Sequence, residues 1–168
     1  MTSTGLHVQL SRFFERLSEN GDQKFGAFTI RGKSIFCYSK HSYAFVNLMP
    51  IADGHVLIAP KRGAQFLADL EDEETADVFT MVTRVVKMLR KVYDTDSCTV
   101  LVNDGPKAGQ VVKHVHVHVI PRKEGDFKDG DVFKALMQHD KEDQKAREEQ
   151  DMINEAEKYE KAMQNCSV

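Results

Sequence analysis

Cysteine is scarce in this 168-residue chain, where Cys37, Cys98 and Cys166 form an odd and widely spaced set. Neither a disulfide framework nor a paired zinc knuckle can be assembled from them, and the compartment expected is a reducing one, the cytoplasm and with it the nucleus. Long apolar runs are missing as well. None approaches the roughly 18 residues that a membrane span requires, so no membrane partner is expected. The first twenty residues lack the basic start, apolar middle and small-residue end of a secretory leader. Positive charge is not in excess, since 23 Lys and Arg stand against 26 Asp and Glu for a formal net charge of -3. That balance gives no global reason to expect nucleic acid as a partner. Internal repeats and long low-complexity tracts are also absent.

What remains is a composition of 41% hydrophobic and 29% charged residues, that of a globular protein with one core. A chain of this size buries roughly two thirds of the surface its unfolded form exposes. Leu10, Phe13, Phe14 and Leu17 recur at helical spacing and predict a short amphipathic helix or arm within residues 1–23. Phe25 to Ile30, a turn at Arg31-Gly32, and Ser34 to Tyr38 read as a hairpin. Tyr43 to Leu48 and His55 to Ala59 are two further strands, the second stopped by Pro60. From Asp72 to Tyr93 the period changes: Val78, Val82, Val85, Leu89 and Val92 make an apolar stripe that Phe79 and Val86 widen, which predicts the longest helix. Cys98 to Val102 is another strand and Gly125 to Asp131 a flexible loop. Strands on both sides of one long helix predict an α+β domain with an antiparallel or mixed sheet. Residues 24–136 form that domain, and residues 137–168 a charged helix and tail whose sparse apolar repeat is Met152, Ala156, Tyr159 and Met163.

The chemistry concentrates in KHVHVHVIPR, Lys113 to Arg122, where three of the seven histidines alternate with valine. In a strand, alternate residues share a face about 6.5 to 7 Å apart. His114, His116 and His118 then project together while Val115, Val117 and Val119 enter the core and hold the register. Three uses compete: a wet strand face, a zinc site with His55 as a further ligand, or catalysis at phosphorus. The loop NDGPKAGQ, Asn103 to Gln110, favours the last, because Gly105, Pro106 and Gly109 turn the backbone tightly enough to aim N–H groups at an anion. A neutral imidazole beside such an anion is a nucleophile whose other nitrogen needs an acceptor. With a helper on each side, His116 is the candidate. His7, His41 and His139 are read as uninvolved.

The pattern HVHVHVI resembles the signature of the histidine triad (HIT) family of nucleotide hydrolases and transferases. The longer stretches NDGPKAGQVVKHVHVHVIPRKEGDF and SYAFVNLMPIADGHVLIAPKR resemble its fragile histidine triad branch, over about Phe25 to Phe127. The resemblance implies a HIT-like fold and a dinucleoside triphosphate hydrolase that splits diadenosine triphosphate into AMP and ADP. It makes His116 the nucleophile at the α-phosphorus, His114 and His118 the residues that orient it and contact phosphate, and His55 the fourth histidine. Gln110 matches a glutamine that bonds the phosphate chain, Gly109, Val111 and Val112 a phosphate-lining segment, and Asn47 an asparagine that reads ribose hydroxyls. The sequence departs from the branch at Asn103, where a glutamine is usual, and at Phe28, where a histidine is usual at the nucleobase end of the pocket. A divalent cation, Mg²⁺ or Mn²⁺, is expected to arrive with substrate, with no tightly bound structural metal, and a homodimer is expected through the long helix and a sheet edge. Two alternatives stand beside the hydrolase: a nucleoside phosphoramidase or adenylylsulfatase-type enzyme, and a nucleotide-loaded signalling module with slow turnover.

Overall fold

A computed structural model describes residues 21–127, 131–139 and 146–164. The expected amphipathic arm around Leu10 to Leu17 lies outside the described residues, as does Cys166. Five strands, β3 (Ile35–Tyr38), β4 (Ser42–Val46), β5 (Val56–Pro60), β6 (Cys98–Leu101) and β7 (Val117–Pro121), form one antiparallel sheet in the order β3-β4-β5-β7-β6. A separate hairpin, β1 (Gln23–Phe25) and β2 (Phe28–Ile30), lies beside it. The helices are α1 (Asp72–Tyr93), α2 (Val132–His139) and α3 (Glu149–Gln164). This is the α+β, HIT-like arrangement expected, with a long helix packed on an antiparallel sheet and a C-terminal helix.

Alternation along the strands divides the sheet into two faces. On one, Ala44, Val46, Val56, Ile58, Val117 and Val119 pack against Val78, Met81, Val82, Val85, Met88 and Leu89 of α1. The stripe expected on α1 differs in one place: Phe79 is 42% exposed, and Met81 and Met88 fill the core instead. Its N-terminus is closed by Glu74, which accepts from the Glu71 N–H at 3.0 Å and from Arg62 at 2.6 Å. Asp94 ends the helix in a left-handed conformation (φ 49°). Ala156 and Tyr159 bury the expected stripe of α3 against this core, with Met152 and Met163 beside them. On the opposite face Phe25, Ile35, Tyr43, Phe45, Leu57 and Ala59 form a second cluster under the β1–β2 hairpin.

The expected hairpin is corrected. Its turn falls at Gly26-Ala27, not at Arg31-Gly32, and Ile35–Tyr38 pairs with Ser42–Val46. Gly26 takes φ +58°, and a Cβ there would stand 2.9 Å from Val112 Cγ1, so the turn needs glycine to sit this close to the segment before the histidines. The helix α2, which follows the Gly125 loop, was not foreseen; Val132 and Leu136 seal Ile120 on the flank of the sheet.

Candidate active site

The histidine segment is strand only from Val117 onward. Before it the backbone bonds elsewhere: His114 N–H donates to Val112 O at 2.8 Å and Val115 N–H to Ala64 O at 2.8 Å. The valines do enter the core, with Val115, Val117 and Val119 all buried. The imidazoles, however, are not an open row, because His114 and His116 are buried too. The hairpin causes this. The Phe25 ring lies 5.4 Å from the His114 ring and 5.2 Å from that of His116, edge-on to the latter. Sequence reasoning assigned Phe25 only to a strand; its place over the histidines depends on a contact 88 residues long, the Gly26 N–H donated to His114 Nδ1 at 3.2 Å.

Backbone groups, whose donor and acceptor roles are not in question, fix the tautomer of each imidazole in turn. His114 Nδ1 accepts from Gly26, so its proton is on Nε2 and goes to Pro60 O at 2.8 Å. Burial lowers the pKa of this ring, opposed only by the bond to Pro60. His116 Nδ1 faces the His114 carbonyl at 2.7 Å and must donate to it, so in the neutral ring Nε2 is the unprotonated nitrogen. His55 Nδ1 accepts from the Ile51 N–H at 3.3 Å, so its Nε2 donates to His118 Nδ1, 2.9 Å away. The proton of a neutral His118 is then on Nε2. The His116 and His118 rings are neighbours, with centroids 4.9 Å apart. A lone pair and an N–H donor thus stand side by side, suited to attack on an electrophile and hydrogen bonding to what departs.

The same geometry bears on the zinc alternative. Two nitrogens bound tetrahedrally at about 2.0 Å stand about 3.3 Å apart. The 2.9 Å separation of His55 and His118, with a proton directed between them, is that of a hydrogen bond. Among the described residues no group of three or more His, Cys, Asp or Glu is placed to hold a metal ion.

Asn47 closes the far side. Its Oδ1 accepts from the Met49 N–H at 3.1 Å, which turns Nδ2 toward His55 Nδ1 at 3.3 Å. Gln110 does not stand free over the histidines: Oε1 accepts from Gly105 N–H at 3.1 Å and Nε2 donates to Gln65 O at 2.8 Å, so the side chain shapes the loop. Asn103 spans the loop to Gly109 O at 3.4 Å, and Gly109 takes the positive φ, 86°, expected of a tight turn. Val112 turns its side chain into the second cluster, while Val111 and Phe28 are exposed.

A family description of the HIT domain matches residues 31–125. The chain belongs to the HIT family. The nitrilase and fragile histidine triad fusion protein NitFhit of Caenorhabditis elegans is 46% identical over 150 residues, covering 89% of this chain and 34% of that protein. Its crystal structure superposes with a TM-score of 0.73 and 36% identity over 95% of this chain and 37% of the other. The bifunctional bis(5'-adenosyl)-triphosphatase/adenylylsulfatase FHIT of Arabidopsis thaliana is 37% identical, covering 80% of this chain and 81% of its own length. These relatives place the HIT chain in the fragile histidine triad branch. It spans about a third of the length of the nematode fusion protein.

Proposed function

We propose that this HIT protein hydrolyses dinucleoside polyphosphates, diadenosine triphosphate foremost, through a nucleotidyl intermediate on His116. The observation that carries the reading is the bond from His116 Nδ1 to the His114 carbonyl, which directs the lone pair of Nε2 away from the backbone. In the first step Nε2 bonds to the α-phosphorus and the bond to the diphosphate oxygen breaks. The diphosphate departs as its anion, and that oxygen accepts a hydrogen bond from the Nε2–H of His118, whose Nδ1 is held by His55 Nε2 across their 2.9 Å bond. The His116 ring, now carrying phosphorus on Nε2 and a proton on Nδ1, is cationic, and the His114 carbonyl stabilises it. In the second step water attacks phosphorus as the bond to His116 Nε2 breaks, the ring returns to its neutral form, the water's proton passes to solvent, and AMP leaves after ADP.

Asn47 and the loop from Asn103 to Val112, with Gly109 and Gln110, are the proposed contacts to ribose and phosphate, and Phe28 the exposed ring at the base. His114 works through its backbone and as the tether of the hairpin. A divalent cation, Mg²⁺ or Mn²⁺, would be carried by the polyphosphate and reduce its repulsion. Incubation of purified protein with diadenosine triphosphate and chromatography of the products tests the reading. AMP and ADP released together support it; no release above a blank contradicts it.

The name of the Arabidopsis relative favours one second reading, in which the same attack expels sulfate from an adenylylated sulfate. An adenosine phosphoramidate would be cleaved by the same step. Side-by-side kcat/KM values on the three substrates decide. We also propose a homodimer built on the edge strand β6, where Val100 is 42% exposed, and tested by sedimentation.

A further inference from the structure

The C-terminal segment reaches the candidate site from about one hundred residues away in sequence. The Arg147 N–H donates to Leu48 O at 3.1 Å, and its guanidinium Nη1 donates to Asn47 O at 3.5 Å. The guanidinium is paired with Glu155 in the second turn of α3, both side chains largely withdrawn from solvent. Glu155 also accepts from the Tyr159 hydroxyl at 2.5 Å, and since Tyr159 gives its proton there, the Tyr93 hydroxyl 2.6 Å away must donate to Tyr159. Burial raises the pKa of both phenols, so both protons stay in place. Each link has one direction: Tyr93 to Tyr159, Tyr159 to Glu155, Arg147 to Glu155, and Arg147 to the Asn47 carbonyl.

The other end of Asn47 belongs to the histidine pair, since its amide donates to His55 Nδ1 at 3.3 Å. The Tyr93 ring closes over Gly54, where a Cβ would stand 2.5 Å from Tyr93 Cε2, and Asn47 holds Nδ1. A residue that fixes the main chain of Asn47 therefore acts on the proposed nucleoside contact and on the tautomer of the hydrogen-bonded His55–His118 pair together.

We propose that Arg147 is a positioning residue for the active site: it clamps the Asn47-Leu48 backbone so that the Asn47 amide stays on His55 Nδ1. The effect on catalysis rests on the hydrolase reading above; the effect on the His55 ring does not. A charged side chain that brings α3 onto this loop is not needed for the hydrophobic docking of α3, which Ala156 and Tyr159 already supply from within the core.

The test compares R147A with M152A, which weakens the packing of α3 without touching the chain of hydrogen bonds. Both are made in the full chain, and their thermal midpoints are matched by choice of temperature. Long-range ¹H–¹⁵N spectra of the imidazoles report which ring nitrogen carries the proton. R147A is expected to introduce exchange or a second tautomer at His55 and to raise KM for diadenosine triphosphate by about tenfold, the size set by loss of a charge-assisted hydrogen bond. M152A should leave both unchanged, and R147K should recover most of the loss because an ammonium can still bridge Glu155 and the carbonyl. Should R147A fold poorly, E155Q serves in its place and should show the same two effects in weaker form. Equal KM and identical His55 spectra in R147A and M152A would overturn the proposal. Wild-type protein with no turnover would sink the hydrolase reading alone, leaving the ring spectra to decide the role of Arg147.

Discussion

Replacing His114 by glutamine separates the two roles its ring plays, as a tether and as a titrating group. Both polar ends of the ring are used, one accepting from Gly26 and the other donating to Pro60, and the residue is 1% exposed. Alanine would strand both backbone groups at about 1–3 kcal/mol each, so about 2–6 kcal/mol together, a large part of the stability of an ordinary domain. Glutamine carries an acceptor and a donor of similar reach and should cost only about 1 kcal/mol. It does not titrate. Burial lowers the pKa of His114 below the ordinary 6.5, so below that pH the unfolded chain takes up a proton that the folded chain refuses. The wild type is therefore at full stability with respect to this group above the ordinary histidine range, and loses stability as the pH falls, by up to about 1.4 kcal/mol per pH unit for one proton. Urea melts of wild type and H114Q between pH 5 and 8, with the m-value held as a check on two-state behaviour, give the comparison. The difference in stability between the two should shrink or reverse toward low pH. A constant difference across the range would mean that His114 is protonated in the folded protein as readily as in the unfolded one, and the tautomer chain built on it would fail.

Three further outcomes follow from other parts of the molecule. Gly54→Ala should lower stability by about 2–5 kcal/mol, from the left-handed φ of +79° and a Cβ driven into Tyr93 and Pro121, as read by thermal or urea unfolding. Asp77→Ala removes the one acceptor shared by the Ser39 and Ser42 hydroxyls, 2.5 and 2.6 Å away, and should cost about 2–4 kcal/mol, whereas Phe79→Ser on the exposed face of α1 should cost little. Arg62 holds the Glu74 carboxyl down at about 2, so their pair contributes above the ordinary carboxylate range and is lost as the pH falls toward 2; R62A should flatten the acid limb of the stability profile.

The parts of the fold that were legible in the sequence are those decided locally. The long helix runs from Asp72 to Tyr93 as its change of period predicts, and β5 closes at Pro60. Local pattern failed at the hairpin because Phe25 to Ile30 looks like one apolar strand. Gly26 breaks it there to meet His114 and Val112, residues that no local window contains. The alternation of histidine and valine placed the valines in the core but suggested an exposed row of imidazoles, since the ring over His114 and His116 comes from that same misread hairpin. The partners that set each tautomer, Ile51, Pro60, the His114 carbonyl and Gly26, are backbone groups, and a backbone group has no signature in a sequence. Arg147 is invisible for a related reason: its charge reads as one of many in a polar tail until the fold sets it against Asn47.

The central claim is that His116 Nε2 is the attacking atom. The most direct measurement is a rapid quench of wild-type protein with diadenosine triphosphate labelled at the α-phosphorus, followed by peptide mapping of the labelled, acid-labile and base-stable adduct. The account predicts AMP bonded to Nε2 of His116, formed before AMP appears in solution, and no adduct in H116A, whose turnover should fall by at least the 10² to 10⁴ typical of losing a positioned catalytic group. A label on another residue, or near-normal kcat in H116A under the same conditions, would contradict it.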